Sequence, residues 1–224
     1  MLRGRARLPV LARVSGPPED ARAWSLRQAD FESLEQVLPR LAEQRVILVG
    51  GQREAAPVAA LALAAAAAAS GRRTILVECD LAQPQLAAHV GLAAAPGLHE
   101  YLRWEAEPAD VLQPVALGGR AADGSADPLA CVCGGRPAAK AETLLGLQSF
   151  AHMVEKLRAA YELVLLSGPP PLEEPGPCLA PARQADAVVA ATLAAASDGR
   201  ALAKAIKRLP IPALGAIAVG AQRS

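Results

Sequence analysis

A cradle for phosphate asks for a particular run of residues: glycine, four residues, glycine, lysine, then serine or threonine. The glycines let backbone N–H groups close on the phosphate oxygens, the lysine neutralises them, and the hydroxyl binds Mg²⁺. The stretch RVILVGGQREAAPVAALALAAAAAASGRRTILVECD, from Arg45 to Asp80, offers a place for such a run. With the pattern registered on Gly50, the second glycine falls on Ala55, the lysine on Ala56 and the hydroxyl residue on Pro57. Gly51 and Arg53 lie inside the loop. The scaffold of a phosphate loop is present; its charge and its metal ligand are absent. A helix start here still presents a partial positive end, but Pro57 has no N–H to give. ATP with Mg²⁺ is therefore expected to bind weakly or not at all, and no cofactor is expected.

Two further places could hold chemistry. Glu78-Cys79-Asp80 puts two carboxylates at i and i+2, on one face of a strand end. Ser167-Gly168-Pro169-Pro170 closes another apolar run. In a working nucleotidase that third end supplies an Asp that holds Mg²⁺ through water. A Ser167 hydroxyl can donate to phosphate but cannot neutralise a divalent cation. Ligands of open α/β sheets sit at the carboxyl ends of the strands, so all three places belong to one expected cleft.

The elements that must position these residues follow from the hydrophobic pattern. Val46 to Val49 and Thr74 to Val77 read as buried strands, joined by an alanine-rich helix with Pro57 near its start and Gly71 at its end. This is a βαβ unit, which implies a parallel sheet. Helices are predicted over Ser25–Leu41, Pro84–Val90, Gly97–Trp104, Ala141–Ala160 and Ser197–Leu209. Strands are predicted over Leu129–Cys133, Leu163–Leu166, Ala187–Thr192 and Ala213–Val219, and a loop over Pro114–Pro128. The alternation gives an α/β class with a mainly parallel sheet. Residues 1–22, with Arg3, Arg5, Arg7 and Arg13, read as a flexible basic arm, and residues 23–224 as one domain.

Composition removes several classes of function. A net charge of +1 gives no broad pull toward nucleic acid or an anionic membrane. No apolar run reaches the roughly 20 residues of a membrane span without alanine dominating it. Cys79, Cys131, Cys133 and Cys178 form no CxxC pair, and the three His are scattered, so the cysteines read as buried thiols in a reducing cytoplasm. His89 and His99 read as surface polar residues.

Three segments carry a resemblance. GRRTILVECDLAQPQLAAHVGLAAAPGLHEYL, CVCGGRPAAKAETLLGLQSFAHMVEKLRAAYELVLLSGPP and QADAVVAAT resemble successive blocks of the bacterial tyrosine kinases of capsule and exopolysaccharide systems. The likeness runs from about Arg45 to Gly220. The same superfamily holds the MinD and ParA type positioning ATPases; Pro84 and PGLHEYL lean toward the kinases. The resemblance implies a P-loop NTPase-like three-layer sandwich. It also sharpens the departures. Ala56 and Pro57 replace the phosphate lysine and the Mg²⁺ hydroxyl, and Ser167 replaces the second metal-binding Asp. Glu78 and Asp80 keep acids, Ala82 and Gln83 replace a paired Arg, and the chain ends GAIAVGAQRS without the kinases' tyrosine cluster.

The resulting site is a degenerate phosphate loop of Gly50, Gly51, Arg53, Ala55, Ala56 and Pro57. Glu78, Asp80 and Ser167 stand as vestigial metal or nucleotide positions, and no residue has a catalytic role. The expected function is a catalytically silent scaffold or regulator of exopolysaccharide or capsule synthesis or export. Its expected partner is a membrane polysaccharide co-polymerase or an active paralogue, in the cytoplasm or held at the inner membrane through that partner. Self-association is expected through the helix from Ser25 to Leu41. One alternative is an active ATPase or tyrosine kinase in which Arg53 or Lys140 supplies the missing charge. The other is a MinD-like positioning factor, ranked lower because the tail after Val219 is too short for a membrane helix.

Overall fold

The computed structural model describes residues 8–16, 27–115, 129–171, 175–195 and 199–220. Eight strands form one sheet: β1 (Val10–Ser15), β2 (Val46–Gly51), β3 (Thr74–Glu78), β4 (Gln113–Val115), β5 (Leu129–Val132), β6 (Leu163–Ser167), β7 (Ala187–Leu193) and β8 (Ala213–Gly220). Their spatial order is β1-β8-β7-β2-β6-β3-β5-β4. Every pairing is parallel except β4 with β5. The central strands β2, β3 and β6 are buried at every residue, as strands covered by helices on both faces must be. Side-chain alternation divides the core in two. Ile47 and Val49 of β2 pack on one side of the sheet, Val46 and Leu48 on the other.

The alanine-rich helix α2 (Ala56–Ala69) is buried at all residues but the last. It lies on the sheet and is covered in turn by α1 (Gln28–Glu35) and α3 (Leu86–Val90). Only small side chains let a helix fit between a sheet and other helices in this way, which explains the run of alanines better than helix propensity does. The helix stops at Gly71, φ +85°. Gly71 N donates to Ala68 O and Arg72 N to Ala67 O, the paired 5→2 and 6→1 bonds of a left-handed helix end.

The remaining helices are α4 (Leu98–Leu102), α5 (Pro108–Val111), α6 (Ala141–Leu145), α7 (Gln148–Ala160), α8 (Pro175–Gln184) and α9 (Gly199–Ile206). No described helix is long and apolar enough to cross a membrane.

Several expectations are corrected. Val10–Ser15, assigned above to a flexible arm, is an edge strand parallel to β8. Its arginine misleads: at a sheet edge Arg13 stays exposed while Ala12 and Val14 are buried. The free edge of β1 is capped by α1, because Arg13 N donates to Ser33 Oγ and Ser15 N to Asp30 Oδ1, which blocks strand addition there. Residues 1–7 and 17–22 of the arm lie outside the described residues. The helix expected over 25–41 is α1 followed by a separate 3-10 turn at Leu38–Leu41, because Pro39 cannot continue it. The helix expected over 141–160 is broken at Gly146-Leu147 into α6 and α7. Three further elements were not expected: α5, β4, which takes in the first two residues of the predicted loop, and α8, hidden by Pro175, Pro177 and Pro181. The predicted loop beyond Val115 lies outside the described residues.

Candidate functional site

The register of the central strands places the three predicted strand ends side by side. Val49 pairs with Ser167, and Ser167 with Glu78. The ends of β2, β6 and β3 therefore form one rim, as the strand-end rule requires.

On the β2 side, the strand continues through Gly50 and Gly51, which face Ala190 and Ala191 of β7. The second of these is the demanding position. A Cβ on Gly51 would lie 1.9 Å from the Ala191 carbonyl oxygen, whereas one on Gly50 would meet only ordinary contacts at 3.7 Å. Gln52 then fastens the turn. Its N–H donates to Ala191 O (3.0 Å), and its Oε1 accepts from Leu193 N (2.6 Å) and the Thr192 hydroxyl (3.1 Å). Ala55 N and Ala56 N both donate to the Gln52 carbonyl, at 3.0 and 2.9 Å. Ala55 and Ala56 are 0% and 2% exposed, and Pro57 is buried beside them. Two amides that a phosphate cradle would aim at its ligand thus close on a carbonyl of the same turn, and the next position has no N–H.

On the β3 side, Glu78 is 2% exposed. Its Oε1 accepts from Gln85 N (2.5 Å) and Leu86 N (2.8 Å), and its Oε2 from Gly134 N (2.8 Å). One carboxylate thereby joins the end of β3, the start of α3 and the loop after β5. Burial raises the carboxyl above its ordinary range; the three N–H bonds pull it back down, and nearby Asp80 adds a smaller upward push. Asp80 is occupied differently. Its Oδ2 accepts from Arg53 Nη1 at 2.5 Å and its Oδ1 from Gln83 N at 3.3 Å. Burial raises this carboxyl too, against the opposing pull of Arg53. The acids are therefore neither a solvated strand end nor a facing pair of open ligands. Among the described residues no group of three His, Cys, Asp or Glu is placed to hold a metal ion.

Ser167 ends β6 and is 2% exposed. Its carbonyl accepts from Cys79 N (2.7 Å). Arg53, Asp80, Cys79, Ala141, Pro169 and Pro177 line a space of about 270 Å³ at this rim. Lys140, the other cation considered for the missing charge, is exposed ahead of α6 and does not line this space. All four cysteines are buried and free; burial pushes the Cys178 thiol up to about 12. His89 and His99 are half-buried rather than on the surface, and His89 Nε2 and His99 Nδ1 are buried without a hydrogen-bond partner.

Sequence reasoning missed Gln52 and Glu100. Glu100, 4% exposed, accepts from Gly97 N (2.8 Å) and from the Arg136 guanidinium (2.8 Å), so that α4 is tied to the loop after β5. The spacing of Gly97 and Glu100 across a helix start was the available signal. Gln52 offered none, since a glutamine inside a turn carries no spacing rule.

No protein-family profile and no curated protein matches the chain. Solved structures do. The kinase domain of the Escherichia coli tyrosine kinase ETK superposes with a TM-score of 0.78 at 16% identity, covering 97% of this chain and 92% of that one. The fold is that of bacterial tyrosine kinase domains. The BceF tyrosine kinase domain gives 0.75 at 20% identity, over 95% of this chain and 93% of its own. The cell division ATPase MinD of Pyrococcus furiosus gives 0.59 at 17% identity, over 77% of this chain and 70% of that chain. The kinase-type likeness spans more of both partners than the MinD likeness, in line with the resemblance drawn from the sequence.

Proposed function

We propose that this chain is a non-catalytic member of the tyrosine kinase fold, acting as a scaffold or regulator in exopolysaccharide or capsule synthesis or export. Its partner is a membrane polysaccharide co-polymerase or an active paralogue. The observation that carries the reading is the turn from Gly51 to Pro57. Ala55 N and Ala56 N close on Gln52 O, Pro57 has no N–H, and Arg53 is paired with Asp80. These residues do not fit a Mg²⁺-bound triphosphate, so no phosphoryl-transfer step is derived through one. The charge and ligand missing at Ala56 and Ser167 are worth at least several kcal/mol of transition-state stabilisation where they are present. What supports a scaffold role is a fold kept across its whole length around a closed site. The alternative in which Arg53 supplies the phosphate charge would require breaking its pair with Asp80.

Isothermal titration of the full chain with ATP and Mg²⁺, followed by a phosphate-release assay, tests this directly. The expected result is no saturable heat and no phosphate release. Micromolar affinity together with turnover overturns the proposal.

A further inference from the structure

α9 and the turn after it, GRALAKAIKRLPIP from Gly199 to Pro212, carry four cations and no carboxylate. Arg200, Lys204, Lys207 and Arg208 stand at i, i+4, i+7 and i+8, which is one stripe of a helix. Helix-type bonding continues past Ile206, since Lys207 N donates to Ala203 O (3.1 Å) and Arg208 N to Ala205 O (3.0 Å). Leu202, Ala203, Ile206 and Leu209 are buried against the sheet, and the four cations are exposed. Among the described residues none of the four has an ion-pair partner. The whole chain carries only +1, so the remainder is acidic on balance and this concentration of charge is local.

Beside the stripe runs a groove of about 450 Å³ between α9 and the outer strands β8 and β1. Leu8, Val10 and Leu202 line it, with Arg13 on one side and Arg200 on the other. Val10 is 51% exposed. Leu8 and Val10, partly in water and flanked by cations, fit the boundary between headgroups and acyl chains. The four long side chains lack supporting bonds, so a rigid acidic protein would have to order each one at an entropic cost. Lipid headgroups diffuse to the cations and need no fixed geometry.

We infer that the α9 face docks directly on an anionic lipid bilayer, with the Leu8–Val10 side of the groove at headgroup level. This does not depend on whether the phosphate loop is silent.

The test uses the full chain and sedimentation with vesicles of phosphatidylglycerol and phosphatidylcholine in equal parts, against pure phosphatidylcholine. Binding is expected to the mixed vesicles, to be slight on the pure ones, and to fall at high salt. Each neutralised cation should lower the partition coefficient about five-fold, so Arg200→Gln/Lys204→Gln/Lys207→Gln/Arg208→Gln should lower it several hundred-fold. Lys204→Gln/Lys207→Gln, about 25-fold by the same rule, serves if the quadruple variant melts early. Arg40→Gln/Lys156→Gln removes the same charge as the double variant from two other exposed sites and should leave binding intact. Equal binding to both vesicle types, no binding, or an equal loss in the Arg40/Lys156 control overturns the inference. So does stripe-dependent binding to duplex DNA or polyglutamate by a chain that ignores the vesicles.

Discussion

The ends of β2 and β3 lie two strands apart, with β6 between them, on the same rim, yet they are held by opposite means. At the end of β2 the chain is fixed by fit and backbone bonding: Gly51 pressed against Ala191, Gln52 stapled to β7, two amides turned onto one carbonyl. At the end of β3 it is fixed by charge: Glu78 receives three backbone N–H groups and Asp80 receives Arg53. By residue type the β2 end looks empty, because Ala56 and Pro57 stand where a phosphate loop would carry a lysine and a hydroxyl residue. The β3 end looks equipped, because it carries the acids Glu78 and Asp80. The structure reverses the second impression, because an acid whose oxygens already accept backbone bonds is a structural joint.

The strongest way to break this contrast is Glu78→Ala. It would leave three buried N–H groups without an acceptor, and the expected loss is about 3 to 5 kcal/mol, read as a lower urea midpoint. A loss below about 1 kcal/mol would mean that Glu78 is not a joint. Next comes Gly51→Ala, where the new Cβ has no room beside the Ala191 carbonyl; about 3 kcal/mol is expected from the forced separation of β2 and β7. Amide exchange should report it as faster exchange in β2 and β7 ahead of β3. Uniform exchange would show that the close approach is not local.

Arg53→Ala sharpens the contrast from the other side. It leaves the buried Asp80 without its cation, held only by backbone N–H, and about 1 to 3 kcal/mol of stability should go, while titration with ATP stays at baseline. An ATP heat present in the natural chain and lost in this variant would instead make Arg53 the displaced phosphate cation.

The smallest effect is in pH. Glu78 is raised in the folded chain, so the folded state holds its proton more tightly than the unfolded state does. The contribution is fully favourable below the ordinary carboxylate range and is lost as pH rises through the folded value. Relative to Glu78→Gln, the natural chain should therefore gain stability as pH falls from neutral toward 4.5, the ordinary glutamate value. Urea midpoints at the two ends of that window check it; a constant difference between the proteins would remove the assignment.

Much of the fold was legible because hydrophobic period and chain punctuation are local signals. Val46–Val49, Leu163–Leu166 and Gly71 announced their strands and helix end without help. Legibility failed where a local rule met a tertiary exception. Arginine in Val10–Ser15 disguised an edge strand, and three prolines disguised α8. At the site, the departure from the phosphate-loop spacing could be read directly at Ala56 and Pro57. The roles of Gln52, Glu78 and Glu100 were not, because each depends on backbone N–H groups, some of them brought from far along the chain.

The sequence by itself determined the class of fold, the position of the loop and the chemistry that the loop lacks, since these depend on residue types at fixed spacings. Only the tertiary structure decided what the remaining polar groups do. Glu78 and Gly134 lie 56 positions apart, and Arg53 and Asp80 lie 27 apart. Whether an acid meets a metal, a guanidinium or an amide depends on which segments the sheet order brings to the same rim, and no spacing rule along the chain encodes that order.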